Sequence, residues 1–308
     1  LEYLAEHCEL RVWDGDLQIP ADQLRLEVAE CNGLLALLTD RVDDELLAAA
    51  PGLRVVSNMA TGFDNVDVPA ATQRGVLVTR TPGVLSETTA DFAFTLLLAA
   101  ARRLVEADRY VRKGEWKTWG PETLLGQDVY GATIGIVGMG GIGREMAKRA
   151  TGFGMRILYN SRERKPDVEQ RYSMSFATID DLLAESDFVT LHAPLTDQTL
   201  HLIDERALKL MKPTAVLVNT ARGPLVDQEA LYKALNEGWI AAAGLDVTDP
   251  EPMPPDDPLL TLRNLIIAPH IASASVATRS RMAMMAAEQL VEALDGKVPA
   301  NAVNPGAW

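Results

Sequence analysis

Cysteine is all but missing: the chain holds only Cys8 and Cys31 among its 308 residues. Two thiols cannot build a disulfide framework, and neither stands at metal-ligand spacing from another donor, so a disulfide scaffold and a thiolate metal centre are excluded. Histidine is scarce too, at four, and His, Cys and carboxylates form no ligand-spaced cluster; no metal is expected. Positive charge is in short supply, with 29 Lys and Arg against 43 Asp and Glu and a net charge of −14. No basic stripe exists outside the loop at residues 162–165, which argues against nucleic acid or an acidic membrane surface as partner. No apolar run approaches the roughly 20 residues of a membrane helix. The opening residues as given carry no signal-peptide pattern, and a cytoplasmic, reducing location is the expectation.

What the chain has is apolar residues, 47% of the total, enough for the two cores that this length implies. Up to about residue 81, strand signals at residues 9–12, 33–38, 54–57 and 76–79 alternate with helical stretches at 23–31, 43–50 and 67–74. Such alternation means a parallel sheet with helices on both faces. Leu1 already lies in a helical pattern, so a first strand of this domain is expected to precede it. A long helix then starts at Ser86, the N-cap candidate, with Glu87 in the dipole-favoured first turn. Its run ADFAFTLLLAAARRL is apolar enough to be expected buried on all sides, between two domains or against a second subunit; a homodimer is the expected assembly. The loop GEWKTWGP, with Trp116 and Trp119, reads either as an anchor over the next domain or as a dimer contact.

The stretch TIGIVGMGGIG from Thr133 to Gly143 organises the rest. A buried-strand pattern turns directly into Gly138-x-Gly140-x-x-Gly143 at the head of a helix, and a second apolar strand at residues 156–160 completes a βαβ unit. Gly138 permits the tight turn, Gly140 lets backbone approach a pyrophosphate, and Gly143 lets helix and strand pack closely, while the helix N-terminus offers N–H groups to phosphate. An acidic residue at the end of the second strand would hold a ribose 2′-hydroxyl, but Asn160 stands there, followed by Ser161, Arg162, Arg164 and Lys165. Amide, hydroxyl and cations suit a 2′-phosphate, so NADP(H) is expected in preference to NAD(H), which stays possible. The plainer alternative is a solvated basic loop.

Further strand signals at 187–191, 215–219, 242–245 and 265–268 are separated by helical or turn segments. In an open parallel sheet ligands gather at the carboxyl ends of strands, which singles out His192 to Pro194, Thr220 to Arg222, Asp246 and His270. Arg222 lies in VNTARGPLVD, Glu251 in LDVTDPEPMPP and His270 in IIAPHIASAS. An imidazole can carry a proton near neutral pH, a guanidinium can fork onto a carboxylate or ketone oxygen, and a carboxylate can support the imidazole as an acid. Those are the protein's parts in hydride transfer to a 2-oxo acid. The last helix, from about residue 275 to 294, is expected to return to the first domain.

At this point the chain resembles the D-isomer-specific 2-hydroxyacid dehydrogenases, and within them is most similar to glyoxylate/hydroxypyruvate reductases. The resemblance rests on NMATGFDNVDV (58–68), TRTPGVLSETTADFAFTLLLAAARR (79–103), the fingerprint through GFGMRILYNSR (133–162), LHAPLTDQTLHLI (191–203), VLVNTARGPLVD (216–227), GLDVTDPEP (244–252) and APHIASAS (268–275). It implies an α/β fold of two domains, a Rossmann-type doubly wound parallel sheet (residues 99–283) inserted into a smaller flavodoxin-like α/β substrate domain (1–98 and 284–308). It further implies that Arg222 binds the substrate carboxylate and polarises the ketone, that His270 is the proton donor, and that Glu251 pairs with His270. The segment Ala60-Thr61-Gly62 would bind the carboxylate through backbone N–H groups, with substrate held between domains that close on it. Gly140, Gly141, Ile142 and Gly143 would meet the pyrophosphate, Ser161 and Arg162 the 2′-phosphate, and His192, Pro194 and Thr196 the adenosine. Thr220 and Ala221 would lie near the nicotinamide ribose, Asp246 would hold the carboxamide, and Ala272 would line the nicotinamide pocket.

Three residues depart from the common pattern: Ala272 where glycine is frequent, Thr61 for valine and Phe63 for tyrosine. They bear on substrate choice and leave the acid and the cation untouched. The expected reaction is reduction of glyoxylate or hydroxypyruvate by NADPH. The alternatives are a reductase of a longer 2-keto acid such as 2-ketogluconate, and a non-catalytic dinucleotide-binding corepressor that contacts partner peptides.

Overall fold

The computed structural model describes residues 1–308. The chain divides into two compact units, Leu1–Leu85 with Ser275–Trp308, and Ser86–Ala274. The expected divisions at 98/99 and 283/284 fall inside the helices Ser86–Ala101 and Val276–Leu294. Each helix stays whole and belongs to the unit whose sheet it covers.

The first unit holds three parallel strands in the order β1 (Gly33–Ala36), β2 (Val55–Asn58) and β3 (Leu77–Thr79). Asp43 and Asp67 start two of its helices by accepting from the N–H groups of Leu46 and Ala70, satisfying donors that a helix start leaves open. The helix Val276–Leu294 packs across all three strands, and Ser57 Oγ, inside β2, donates to its Ala286 carbonyl at 2.7 Å. The strand expected at residues 9–12 does not form. Glu9, Arg11 and Val12 are exposed and only Leu10 reaches the core, so the segment lacks the apolar face that would hold it against a neighbour.

In the second unit seven parallel strands run in the order β10 (Leu265–Ile267), β9 (Ala242–Leu245), β8 (Val216–Asn219), β7 (Phe188–Leu191), β4 (Thr133–Val137), β5 (Arg156–Asn160) and β6 (Ser175–Phe176). The strands β7, β8 and β9 are buried at every position, as a sheet covered on both faces requires. The two-residue edge strand β6 is exposed and too short to show a period. Chain order reverses at β4, and a crevice forms beside such a switch point.

The long helix Ser86–Ala101 lies within this unit, packed on the helix Gly141–Gly152 and on β8 and β9. Only Glu87, Asp91 and Thr95 are exposed, and Arg149 binds Asp91 at 2.5 Å. Its apolar character is therefore accounted for without a second subunit or a bridging role. Ser86 is its first helical residue rather than the N-cap. The anchoring role expected of the tryptophan loop is also not found: Trp116 and Trp119 are 62% and 80% exposed.

Candidate active site

The strand ends of the second unit carry nearly all the singled-out residues on one edge of one sheet. Gly138 follows β4, Asn160 ends β5, His192 follows β7, Thr220 to Arg222 follow β8, Asp246 follows β9, and His270 lies three residues past β10. Parallel pairing sends all those carboxyl ends the same way, so residues far apart in sequence share one crevice.

The glycine turn has the form a dinucleotide needs. Gly138 has φ +96, and a Cβ there would stand 2.5 Å from the His192 carbonyl carbon; one at Gly143 would stand 2.1 Å from the Gly138 oxygen. A Cβ at Gly141 would meet Ser86 Oγ at 2.7 Å, whereas Gly140 faces open space. Gly140 is also the N-cap of the 12-residue helix Gly141–Gly152 and supplies no capping side chain. The N–H groups of Gly141, Ile142 and Gly143 thus start a helix that no side chain caps, a ready anion seat.

Two buried polar atoms on this edge have no protein partner, His192 Nδ1 and Thr220 Oγ1. The other ring nitrogen of His192 bonds Thr190 Oγ1 at 2.8 Å, and burial pushes the His192 pKa down, favouring the neutral ring. Orphaned buried polar atoms are rare and ask for a ligand; a nucleotide along β7 and β8 fits these two. Pro194 and Thr196 lie on the exposed segment beyond, where Thr196 N–H donates to Thr199 Oγ1.

Past β5 the basic loop is only partly available. Arg164 is bound to Glu169, which also accepts from Tyr159, and these bonds hold the Glu169 carboxyl down at about 2. Lys165 pairs with Glu163 at 3.0 Å. Asn160 Nδ2 donates to the Ala177 carbonyl and Ser161 Oγ to the Glu163 carbonyl. Arg162 is exposed and makes no ion pair, which leaves it the loop's uncommitted cation. The residue count of the loop overstates its positive charge, because its acidic partners come from the loop itself and the helix that follows.

Around Arg222 the backbone is tied by Asn219, 1% exposed, whose side chain accepts from Ala221 N–H at 3.0 Å and donates to the Arg222 carbonyl at 2.7 Å. Gly223 then brings this turn against the loop after β9, for a Cβ there would lie 1.9 Å from the Thr248 oxygen. Gln228 bonds both the N–H and the carbonyl of Asp249, fixing the loop that carries Glu251. Glu251 Oε1 sits 2.5 Å from His270 Nδ1. With Nδ1–H donated to the carboxylate, Nε2 is the nitrogen able to pass a proton to substrate.

His270 is held in the left-handed region at φ +54, a conformation that costs a non-glycine residue on the order of 1–3 kcal/mol and clusters at functional sites. Its N–H donates to the Asp246 carbonyl, and the next two, Ile271 and Ala272, donate to Asp246 Oδ1 and Oδ2. Burial pushes the Asp246 carboxyl up and those two N–H groups pull it back. Asn219, Gly223, Gln228 and this use of Asp246 were missed from sequence; a polar residue at the last position of a buried strand, as Asn219 is, was the available signal.

Ala60, Thr61 and Gly62 belong to the other unit, at the carboxyl end of β2. Asn58 Nδ2 donates to the Gly62 carbonyl, and Ala60 O accepts from Thr81 N–H. Thr61 Oγ1 donates to the Thr81 carbonyl at 3.0 Å, so its hydroxyl braces the loop. Arg80 stacks over Phe63 at 5.6 Å.

A glycine cradle, orphaned polar atoms along adjacent strand ends and a paired imidazole define a nicotinamide-dependent oxidoreductase. Residues 94–272 match the D-isomer specific 2-hydroxyacid dehydrogenase, NAD binding domain. The chain belongs to that family. It is 58% identical over 306 residues to the glyoxylate reductase of Korarchaeum cryptofilum, covering 99% of this chain and 92% of the relative. Its fold is similar to that of an NADPH-dependent glyoxylate/hydroxypyruvate reductase from Sinorhizobium meliloti in complex with NADP and malonate, with TM-score 0.84, 34% identity and coverage of 92% and 86%. It is also similar to D-lactate dehydrogenase from Aquifex aeolicus complexed with NAD and lactic acid, with TM-score 0.88, 27% identity and coverage of 98% and 94%. The protein is an NAD(P)-dependent oxidoreductase that reduces a 2-oxo acid. No helix is long and apolar enough to cross a membrane.

Proposed function

We propose that the protein reduces glyoxylate and hydroxypyruvate with NADPH, His270 giving the proton. The observation that carries this is the 2.5 Å His270–Glu251 pair on the sheet edge that also bears the glycine cradle. The bound cofactor supplies the hydride. Arg222 forks onto the carboxylate and ketone oxygen, drawing charge toward the oxygen as the carbon accepts hydride. His270 passes its proton to that oxygen, and the Glu251 carboxylate steadies the imidazole through the other nitrogen. Ala60, Thr61 and Gly62 are assigned a carboxylate-binding role.

On the cofactor side, Gly140, Gly141, Ile142 and Gly143 take the pyrophosphate, Thr220 and Ala221 the nicotinamide ribose, and His192, Pro194 and Thr196 the adenosine. Ser161 and Arg162 take the 2′-phosphate, with Asn160 in place of the carboxylate that would repel it. Arg162→Asp is therefore expected to lower the NADPH-to-NADH preference by ~100-fold, about 2.7 kcal/mol, measured as the ratio of kcat/KM values. An unchanged ratio removes Arg162 from the site.

A homodimer in the cytoplasm completes this reading; the exposed Trp116 and Trp119 suit a contact between subunits. Rates with glyoxylate, hydroxypyruvate and 2-ketogluconate test the substrate. Higher kcat/KM on the two small acids supports it, and higher kcat/KM on 2-ketogluconate replaces it with the longer-acid reductase.

A further inference from the structure

Among the parts of the crevice, Asp246 carries bonding that the role given by the resemblance does not account for. A residue that only held the nicotinamide carboxamide would need no bonds to the main chain. Here each carboxylate oxygen accepts one main-chain donor and keeps a second acceptor site: Oδ1 accepts from Ile271 N–H at 2.8 Å and Oδ2 from Ala272 N–H at 2.7 Å, while the Asp246 carbonyl accepts from His270 N–H at 2.8 Å. Three consecutive N–H groups thus converge on one residue that is 1% exposed. They belong to the turn that carries His270 at φ +54.

We propose that Asp246 is a positioning residue that moulds the 270–272 turn, fixing His270 in its left-handed backbone conformation so that its imidazole meets Glu251. Charge-assisted bonds to backbone N–H groups are about twice as strong as neutral ones, which suits them to hold a conformation that the chain disfavours. A carboxylate is also the side chain the geometry calls for, since it has two oxygens and no donor. An asparagine keeps one oxygen and turns its NH2 against the other N–H, so the turn is released on one side. Leu245 and Val247, the neighbours of Asp246, are 2% exposed. Ala272, at the far end of the turn, is buried as well.

The inference rests on His270 as proton donor, and its test separates the two. Asp246→Asn is expected to lower kcat with glyoxylate by about 10- to 100-fold, approaching the loss of a general acid. The NADPH dissociation constant, read from cofactor fluorescence, is expected to stay within about 2-fold because the glycine cradle is untouched. Added to His270→Ala, the same substitution is expected to cost no more than about 3-fold further, since two residues acting as one unit are not additive. Equal loss in both backgrounds, or a weakened NADPH complex with kcat retained, assigns Asp246 to the cofactor and overturns the inference. His270→Ala with near-normal turnover removes the proton donor itself, and the inference with it. Hydrogen exchange on the unaltered protein covers a variant that fails to fold: the Ile271 and Ala272 amides are expected to be protected, and exchange at the rate of an open loop contradicts the proposal.

Discussion

His270→Ala is expected to lower NADPH-dependent turnover of glyoxylate by about 100-fold or more, the cost of losing a positioned general acid. The loss is expected to fall on kcat, because the glycine cradle and Arg222, assigned to cofactor and substrate, are left untouched. Glu251→Gln is expected to give a smaller loss in the same direction: the amide can keep a contact with Nδ1, 2.5 Å in the structure, but replaces one carboxylate oxygen by an NH2 group and so holds the ring less strictly. Steady-state rates with saturating NADPH measure both. A near-normal rate in the alanine variant takes His270 out of the reaction.

Arg222→Gln is the second large effect, with kcat/KM for glyoxylate falling by about 100- to 1,000-fold, as for the loss of a donor aimed at a developing oxyanion. Arg222→Lys recovers only part of it, because an ammonium keeps the charge and loses the planar fork. The backbone around the residue is held mainly by Asn219 and by Gly223 against Thr248, and the guanidinium adds a bond, Nη1 to the Ala221 carbonyl at 2.7 Å. Both variants are therefore expected to fold, and a circular-dichroism melt near that of the unaltered protein checks this. Normal kcat/KM in Arg222→Gln contradicts the assignment.

How far the sequence could be read differs by feature, for physical reasons. The βαβ unit was legible because each glycine answers a backbone constraint: Gly138 a positive φ, Gly143 a 2.1 Å approach that no Cβ allows. His192, Thr220, Arg222, Asp246 and His270 were legible because a parallel sheet delivers every strand end to one edge. Burial was less so. The apolar helix Ser86–Ala101 looked like an interface element, yet the second unit covers it on the faces that matter. Residues 9–12 had a strand's composition without a strand's apolar face.

Hydrogen bonds were the least legible of all. Which loop cation stays free depends on Glu163 and Glu169 folding back onto Lys165 and Arg164, and only the three-dimensional arrangement shows it. The same holds for Asp246, whose acceptors meet donors 25 and 26 residues further along the chain.

Oxidation of NADPH, and of NADH in parallel, by the purified protein with glyoxylate as the only oxo acid tests the proposed reaction most directly. Glyoxylate-dependent oxidation is expected, with kcat/KM for NADPH at least ~10-fold above that for NADH, a difference of about 1.4 kcal/mol. A preference for NADH leaves Arg222, Glu251 and His270 in their roles and removes the 2′-phosphate site at Ser161 and Arg162. No glyoxylate-dependent oxidation of either cofactor contradicts the proposed reaction.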